Sequence, residues 1–125
     1  MFATKEKMKN LDRLKKRSDF LWAQSKGKKW TAKGMTIIAC PNNERGENLG
    51  RRFGVTVTKR LEKSAVKRNR MKRRLRAAAY DILPDIAQNN MDYVIIARRE
   101  TPTRLYAELQ KDLKWCLKKL ECLEG

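Results

Sequence analysis

RRFGVTVTKRLEKSAVKRNRMKRRLR, residues 51–76, opens as a strand and closes as a strongly basic helix. Arg52 to Thr58 alternates with period two: Phe53, Val55 and Val57 face one side, and Arg52, Gly54, Thr56 and Thr58 the other. The first side belongs to a core. The second is either the floor of an open groove or an ordinary solvated sheet face. From Ser64, an N-cap, a helix is expected over about Ala65 to Leu83. Met71, Leu75, Ala78/Ala79 and Ile82 fall on one stripe that packs on the sheet. The stretch holds twelve lysines and arginines against Glu62 alone, most of the chain's net charge of +17. Like charges at helical spacing repel, so an anionic partner is expected to offset them, and a polyphosphate backbone fits best.

Within that helix Arg70, Arg73 and Arg74 lie off the packing stripe, and Asn69 lies opposite it. Arg68 falls near the stripe's own direction. Burying an unpaired guanidinium is costly, so Arg68 is expected to project past the core edge toward a ligand. A solvated basic face accounts for Lys72 and Arg76 but poorly for Arg68. Asn69, a mediocre helix former, offers a ligand both a donor and an acceptor.

Downstream, Pro84 is expected to stop the helix, and Gln88-Asn89-Asn90 to turn the chain. Met91–Ala97 reads as a central strand, apolar on both faces toward its end. With Pro102 at its first position, a last helix is expected over about 103–121, with Leu105, Leu109, Leu113, Cys116/Leu117 and Leu120 on its buried side. Glu108, Lys111 and Asp112 are assigned to its solvated side.

Upstream, residues 41–50 read as a polar hairpin connection, and Trp30–Cys40 as one strand, most securely from Met35, with Gly34 marking a kink. Lys26–Lys29 is a basic turn. Ser18 or Asp19 caps a short helix carrying Phe20, Leu21 and Trp22, for whose aromatics core packing competes with a binding role; Leu11 to Leu14 is one helical step. Residues 1–10 read as a flexible basic arm, 11–121 as one domain and 122–125 as a short tail.

The length of 125 residues allows one modest core. A charged fraction of 36% and a pI near 10.3 point to nucleic acid or an anionic membrane surface. Cys40, Cys116 and Cys122 show no metal-ligand spacing and are read as reduced thiols of a cytosolic protein. No run approaches the ~18 apolar residues of a transmembrane helix. There is no histidine, no carboxylate cluster and no nucleophile-plus-base pattern. Phosphodiester hydrolysis needs a metal cage or an acid/base pair, so the chain is expected to supply electrostatics and stacking, not chemistry.

The block Ala65-Val66-Lys67-Arg68-Asn69-Arg70-Met71-Lys72-Arg73-Arg74-Leu75-Arg76 resembles the protein component of bacterial ribonuclease P. Supporting likenesses are Arg13-Leu14-Lys15-Lys16 with Asp19-Phe20, the Arg52–Arg60 strand and its basic exit, the Tyr93–Arg98 strand, and the leucine-rich last helix. The link Leu61–Ser64 departs from the pattern, one residue longer and without glycine, and Met71 stands where isoleucine is commoner.

The resemblance implies an α+β fold, a single-domain α/β sandwich in the order αβββαβα with a left-handed βαβ crossover, against the general rule. It implies binding to a large catalytic RNA and to the 5′ leader of precursor tRNA, supporting 5′ maturation at low magnesium. The RNA would be the endonuclease active site and would hold the magnesium, leaving the protein no cofactor of its own. Arg68, Asn69, Arg70, Lys72, Arg73 and Arg76 would face the catalytic RNA. Arg13, Phe20, Lys59 and Arg60 would border the leader groove, with no membrane, no small-molecule substrate and a cytoplasmic location. The alternative is a structural RNA-binding protein of ribosomal type. A DNA-binding regulator lacks a helix-turn-helix or zipper signal. A membrane-surface helix is disfavoured because the basic helix has no aromatic on its apolar stripe.

Overall fold

A computed structural model of the chain describes residues 11–42 and 50–123. The expected basic arm, most of the polar loop and the last two residues lie outside these. The elements run β1 (Leu11–Arg13), α1 (Arg17–Lys26), β2 (Lys28–Thr31), β3 (Met35–Pro41), β4 (Arg51–Thr56), α2 (Ala65–Ile86), β5 (Met91–Ala97) and α3 (Tyr106–Lys119). The five strands form one mixed sheet in the order β1-β4-β5-β3-β2. β4 and β5 are parallel and joined through α2, β3 runs antiparallel to β5, and β1 lies parallel on the β4 edge.

Alternation along the strands sorts side chains onto two faces. Phe53, Tyr93, Ile95, Ile37 and Met35 go to the side covered by α2 and α3, where Met71, Leu75, Ala78, Ala79, Ile82, Leu109, Leu113 and Leu117 meet them in the main core. The opposite side buries Ile38, Cys40 and Val94 under Ala23 of α1, with Phe20 and Trp22 at its margin. The stripe read for α2 is therefore the one that packs, and β5 is central as expected.

Several boundaries differ. Leu11–Arg13 is a strand: it pairs with Arg51–Phe53, and Leu11 enters the main core. α1 begins at Arg17 with no side-chain cap. Asp19 lies in its first turn and reaches Arg52. Trp30–Cys40 is a hairpin of β2 and β3, not one kinked strand. Its turn is fixed from outside: Gly34 N–H donates to Asp112 Oδ2 at 3.1 Å and its carbonyl accepts from Thr101 Oγ1 at 2.7 Å. The link from β3 to β4 is no hairpin, because β5 lies between the two strands.

Pro84 does not stop α2, which continues to Ile86; a proline near the end loses only its own N–H, and Ala87 N–H still reaches the Leu83 carbonyl at 3.1 Å. α3 starts at Tyr106. Pro102 sits in the preceding turn, and Leu105, expected in the core, is 69% exposed. Glu108 and Asp112 are not a solvated side. Glu108 Oε1 accepts the Leu105 N–H at 2.9 Å, and Asp112 takes the Arg104 guanidinium through both oxygens at 2.9 and 3.1 Å. Beyond α3, Ala87 bridges Leu123, and Gln88 N–H donates to the Cys122 carbonyl at 2.7 Å.

One buried charge cluster has no counterpart in the sequence reading. Asp92, 2% exposed, faces its register partner Arg52, whose Nε and Nη2 meet its two oxygens at 2.8 Å each. Asp19 Oδ2 lies 3.4 Å from the same guanidinium, and Asn42 Nδ2 donates to Asp92 Oδ1 at 3.0 Å. A buried carboxylate needs such satisfaction. The arrangement ties β4, β5, α1 and the start of the polar loop together.

Candidate nucleic-acid interface

The basic helix gets its start from Ser64, whose hydroxyl accepts the Lys67 N–H at 3.3 Å, and from Arg68. Arg68 does not project past the core edge toward a ligand. Its Nη1 turns back onto the carbonyls of Glu62 and Lys63, at 2.8 Å each, and closes the Leu61–Ser64 link. Arg74 is likewise spent on backbone: Nη1 donates to the carbonyls of Thr101 at 2.7 Å and Pro102 at 3.1 Å, and Nη2 to that of Arg104. Two arginines of the block thus hold loops.

The others are presented outward. Asn69, Arg70 and Arg73 are exposed, and Lys72 and Arg76 half-buried. At ~100° per residue, Asn69, Lys72, Arg73 and Arg76 share one stripe facing away from the packing stripe, with Arg70 on a flank. Among the described residues no carboxylate forms an ion pair with Arg70, Lys72, Arg73 or Arg76. The Arg70 flank borders a cavity of about 250 Å³ lined by Glu62, Lys67, Met71, Arg74 and Pro102. On the other flank burial, and then the nearby charge of Arg13, lowers the Arg76 pKa from its ordinary value. Two cations held close without a carboxylate between them favour an anion arriving from outside.

Arg13 therefore parts company with the predicted groove residues. It pairs in register with Phe53, so its side chain leaves the sheet on the α2 side and belongs with Arg76. Phe20 is on the other face, at a cleft of about 420 Å³ lined by Lys15, Arg17, Phe20, Leu21, Gln24 and Thr56. The side of β4 that carries Gly54 and Thr56 is thus part groove floor and part packing surface. Phe20 lies against Gly54 so closely that a β-carbon there would stand 2.5 Å from Cε1 of the ring. Lys59 and Arg60 are exposed in the turn that leaves β4. Lys15, Arg17, Leu21 and Gln24 are not among the groove residues expected from the sequence. Leu21, the residue after Phe20, is a large side chain left 51% exposed.

Among the described residues no group of three or more histidines, cysteines or acids could hold a metal ion. The cysteines there are buried. Burial pushes the Cys116 thiol up to about 12 and the Cys122 thiol upward. These are poor nucleophiles and poor ligands. No described helix is long and apolar enough to cross a membrane. The arrangement can bind polyanions over one helix face and a single extended strand in one cleft.

A family model described as ribonuclease P matches residues 8–121. A ribonuclease P protein component from Paramagnetospirillum magneticum is 43% identical over 117 residues, covering 91% of this chain and 86% of the relative. One from Ruegeria pomeroyi is 42% identical over 108 residues, covering 86% and 84%. Among solved structures, the Staphylococcus aureus RNase P protein superposes with a TM-score of 0.72 at 28% identity, covering 90% of this chain and 97% of that one. The Thermotoga maritima RNase P protein gives 0.69 at 25% identity, covering 91% and 99%.

Proposed function

The chain belongs to the ribonuclease P protein family, and from that premise we propose that it is the protein subunit of a cytoplasmic ribonucleoprotein that matures the 5′ ends of tRNAs. In this reading the outward face of α2 docks on the catalytic RNA. Asn69, Arg70, Lys72, Arg73 and Arg76, joined by Arg13, meet RNA groups directly. Arg68 acts by fixing the helix start. The cleft beside Phe20, with Lys15, Arg17 and Thr56 around it and Lys59 and Arg60 at the β4 exit, takes the single-stranded 5′ leader of precursor tRNA.

The observation that carries the reading is the split of the arginines within one helix. Arg68 and Arg74 are used internally, whereas Arg70, Arg73 and Arg76 have no carboxylate partner among the described residues. A helix built only for stability would not carry that repulsion. Phosphate contacts position without specifying sequence, so the protein should accept many precursor tRNAs. Bond cleavage falls to the RNA and its magnesium; this chain has no histidine to act as a general base. What it supplies is charge neutralisation and a stacking ring, which relieve the RNA of part of its need for magnesium.

The test is cleavage of a precursor tRNA by a bacterial ribonuclease P RNA at low, near-physiological magnesium, with and without this protein. Correct 5′ ends produced only with the protein support the proposal. Tight binding of that RNA without any gain in cleavage would overturn it in favour of a structural RNA-binding role.

A further inference from the structure

The edge strand β2 and the outer side of α3 carry a surface that the proposed function does not use. Every residue of β2 is exposed. Trp30 is in register with Ile37, so its indole leaves the sheet on the α3 side. There it meets Trp115, ring centroids 5.6 Å apart and planes at 69°. Trp115 sits roughly 145° around α3 from the centre of the buried stripe, so the core does not dictate its presence. The two indoles are 37% and 45% exposed. Lys119 Nζ stands 6.0 Å from the Trp30 centroid and 5.6 Å from that of Trp115. Beside them Ile86, Trp115 and Leu123 floor an open cleft of about 330 Å³ whose rim is Lys111, Lys114 and Lys118.

We propose that this edge is a second binding surface for single-stranded RNA, with unpaired bases stacking on Trp30 and Trp115 and phosphates meeting Lys114, Lys118 and Lys119. Charge selects the occupant. A second copy would bring lysine against lysine between chains of net charge +17. Lys28 and Lys29 on the edge strand oppose pairing with another strand. Aromatic rings among lysines are what an extended polynucleotide requires, because any base offers a face to stack and the backbone runs alongside. Lys119, exposed and over both rings, can yield its place to a base and move to the adjoining phosphate. The surface is separate from the Phe20 cleft: β2 and β4 are three strand spacings apart, roughly 14 Å, and the indoles are on the opposite face of the sheet.

The experiment uses the full chain carrying Trp22→Phe, which leaves Trp30 and Trp115 as its two tryptophans. Titration with dodecaadenylate at ~0.1 M salt should quench their emission saturably, and K114Q/K118Q should weaken that association about 25-fold, two single-strand phosphate contacts at a slope of ~0.7 each. Binding of labelled oligonucleotide with unchanged emission would overturn the proposal. So would an equal quench by polyglutamate, which would mark the edge as a site for acidic proteins. Should Trp22→Phe disturb α1, the unaltered protein irradiated with a thiouridine-substituted oligonucleotide gives the same answer: crosslinks in the peptides bearing Trp30 and Trp115 uphold the surface, and crosslinks confined to those bearing Phe20 or Arg73 sink it.

Discussion

Phe20 and Gly54 make one device from two residues. The edge of the ring can come so close to β4 only because Gly54 has no side chain, and a β-carbon there would stand 2.5 Å from ring atom Cε1. Gly54→Val should therefore lift the ring out of the cleft without removing it. Phe20→Ala should cost ~1–3 kcal/mol of leader binding, the usual worth of one base stack. Both variants should lose affinity for leader-bearing tRNA and keep that for mature tRNA, in paired equilibrium titrations. Equal losses for both substrates would assign Phe20 to packing alone. A second single-residue effect concerns pH. Burial, then the charge of Asp112, raises the Cys116 thiol from its ordinary 9.0 to about 12. The native state keeps this proton after the unfolded chain has released it, so the contribution is full below pH 9.0 and is lost as pH rises toward about 12. Tyr106, raised by burial and by its bond to Asp81, acts in the same direction. Denaturation midpoints should fall from pH ~9 upward, and Cys116→Ala should flatten that fall.

Within α2, neighbours in sequence do opposite work. Arg74 holds the turn before α3 through the carbonyls of Thr101, Pro102 and Arg104, whereas Arg73 points to solvent. Arg74→Ala should lower folding stability by ~1–3 kcal/mol, the range for lost charged hydrogen bonds. Arg73→Ala should leave the thermal midpoint unchanged and weaken assembly with the catalytic RNA. Reversed results would exchange the two roles. Composition does not separate such residues, because guanidiniums on one helix look alike until their acceptors, far away in sequence, are in place. The same limit explains the other surprises. The packing stripe of α2 was legible from its period, and Ser64 from its chemistry. The β2–β3 turn was not, since Asp112 and Thr101 set it from the far end of the chain. Leu11–Arg13 fits a helical step as well as a strand, and only Arg51–Phe53 decides between them. Of the candidate site, Phe20 lines the cleft beside α1 and Lys59 and Arg60 are exposed beyond β4, while Arg13 lies on the α2 side, which the sequence does not show because a residue's face depends on strand register.

For the whole molecule, one charge drives two opposite responses to salt. A net charge of +17 on 125 residues repels itself. Screening that repulsion should stabilise the free protein, raising its thermal midpoint by ~4 °C for each ~1 kcal/mol relieved between low and physiological ionic strength. The same salt should weaken the complex with catalytic RNA, because bound counterions must be displaced by arginines and lysines, with a slope of about 0.9 per contact. The two responses divide by residue. Arg73→Ala should reduce the slope by about one contact and barely alter the salt dependence of the free protein's midpoint. Arg74→Ala should lower the midpoint at every salt concentration and leave the slope unchanged, since its guanidinium is engaged by backbone carbonyls and not by phosphate. Thermal scans and binding isotherms over the same salt series measure both. A slope that falls equally in the two variants would mean that the turn before α3 itself lies against the RNA, and the docking face would then have to extend from the outward stripe of α2 across the Arg70 flank to Pro102.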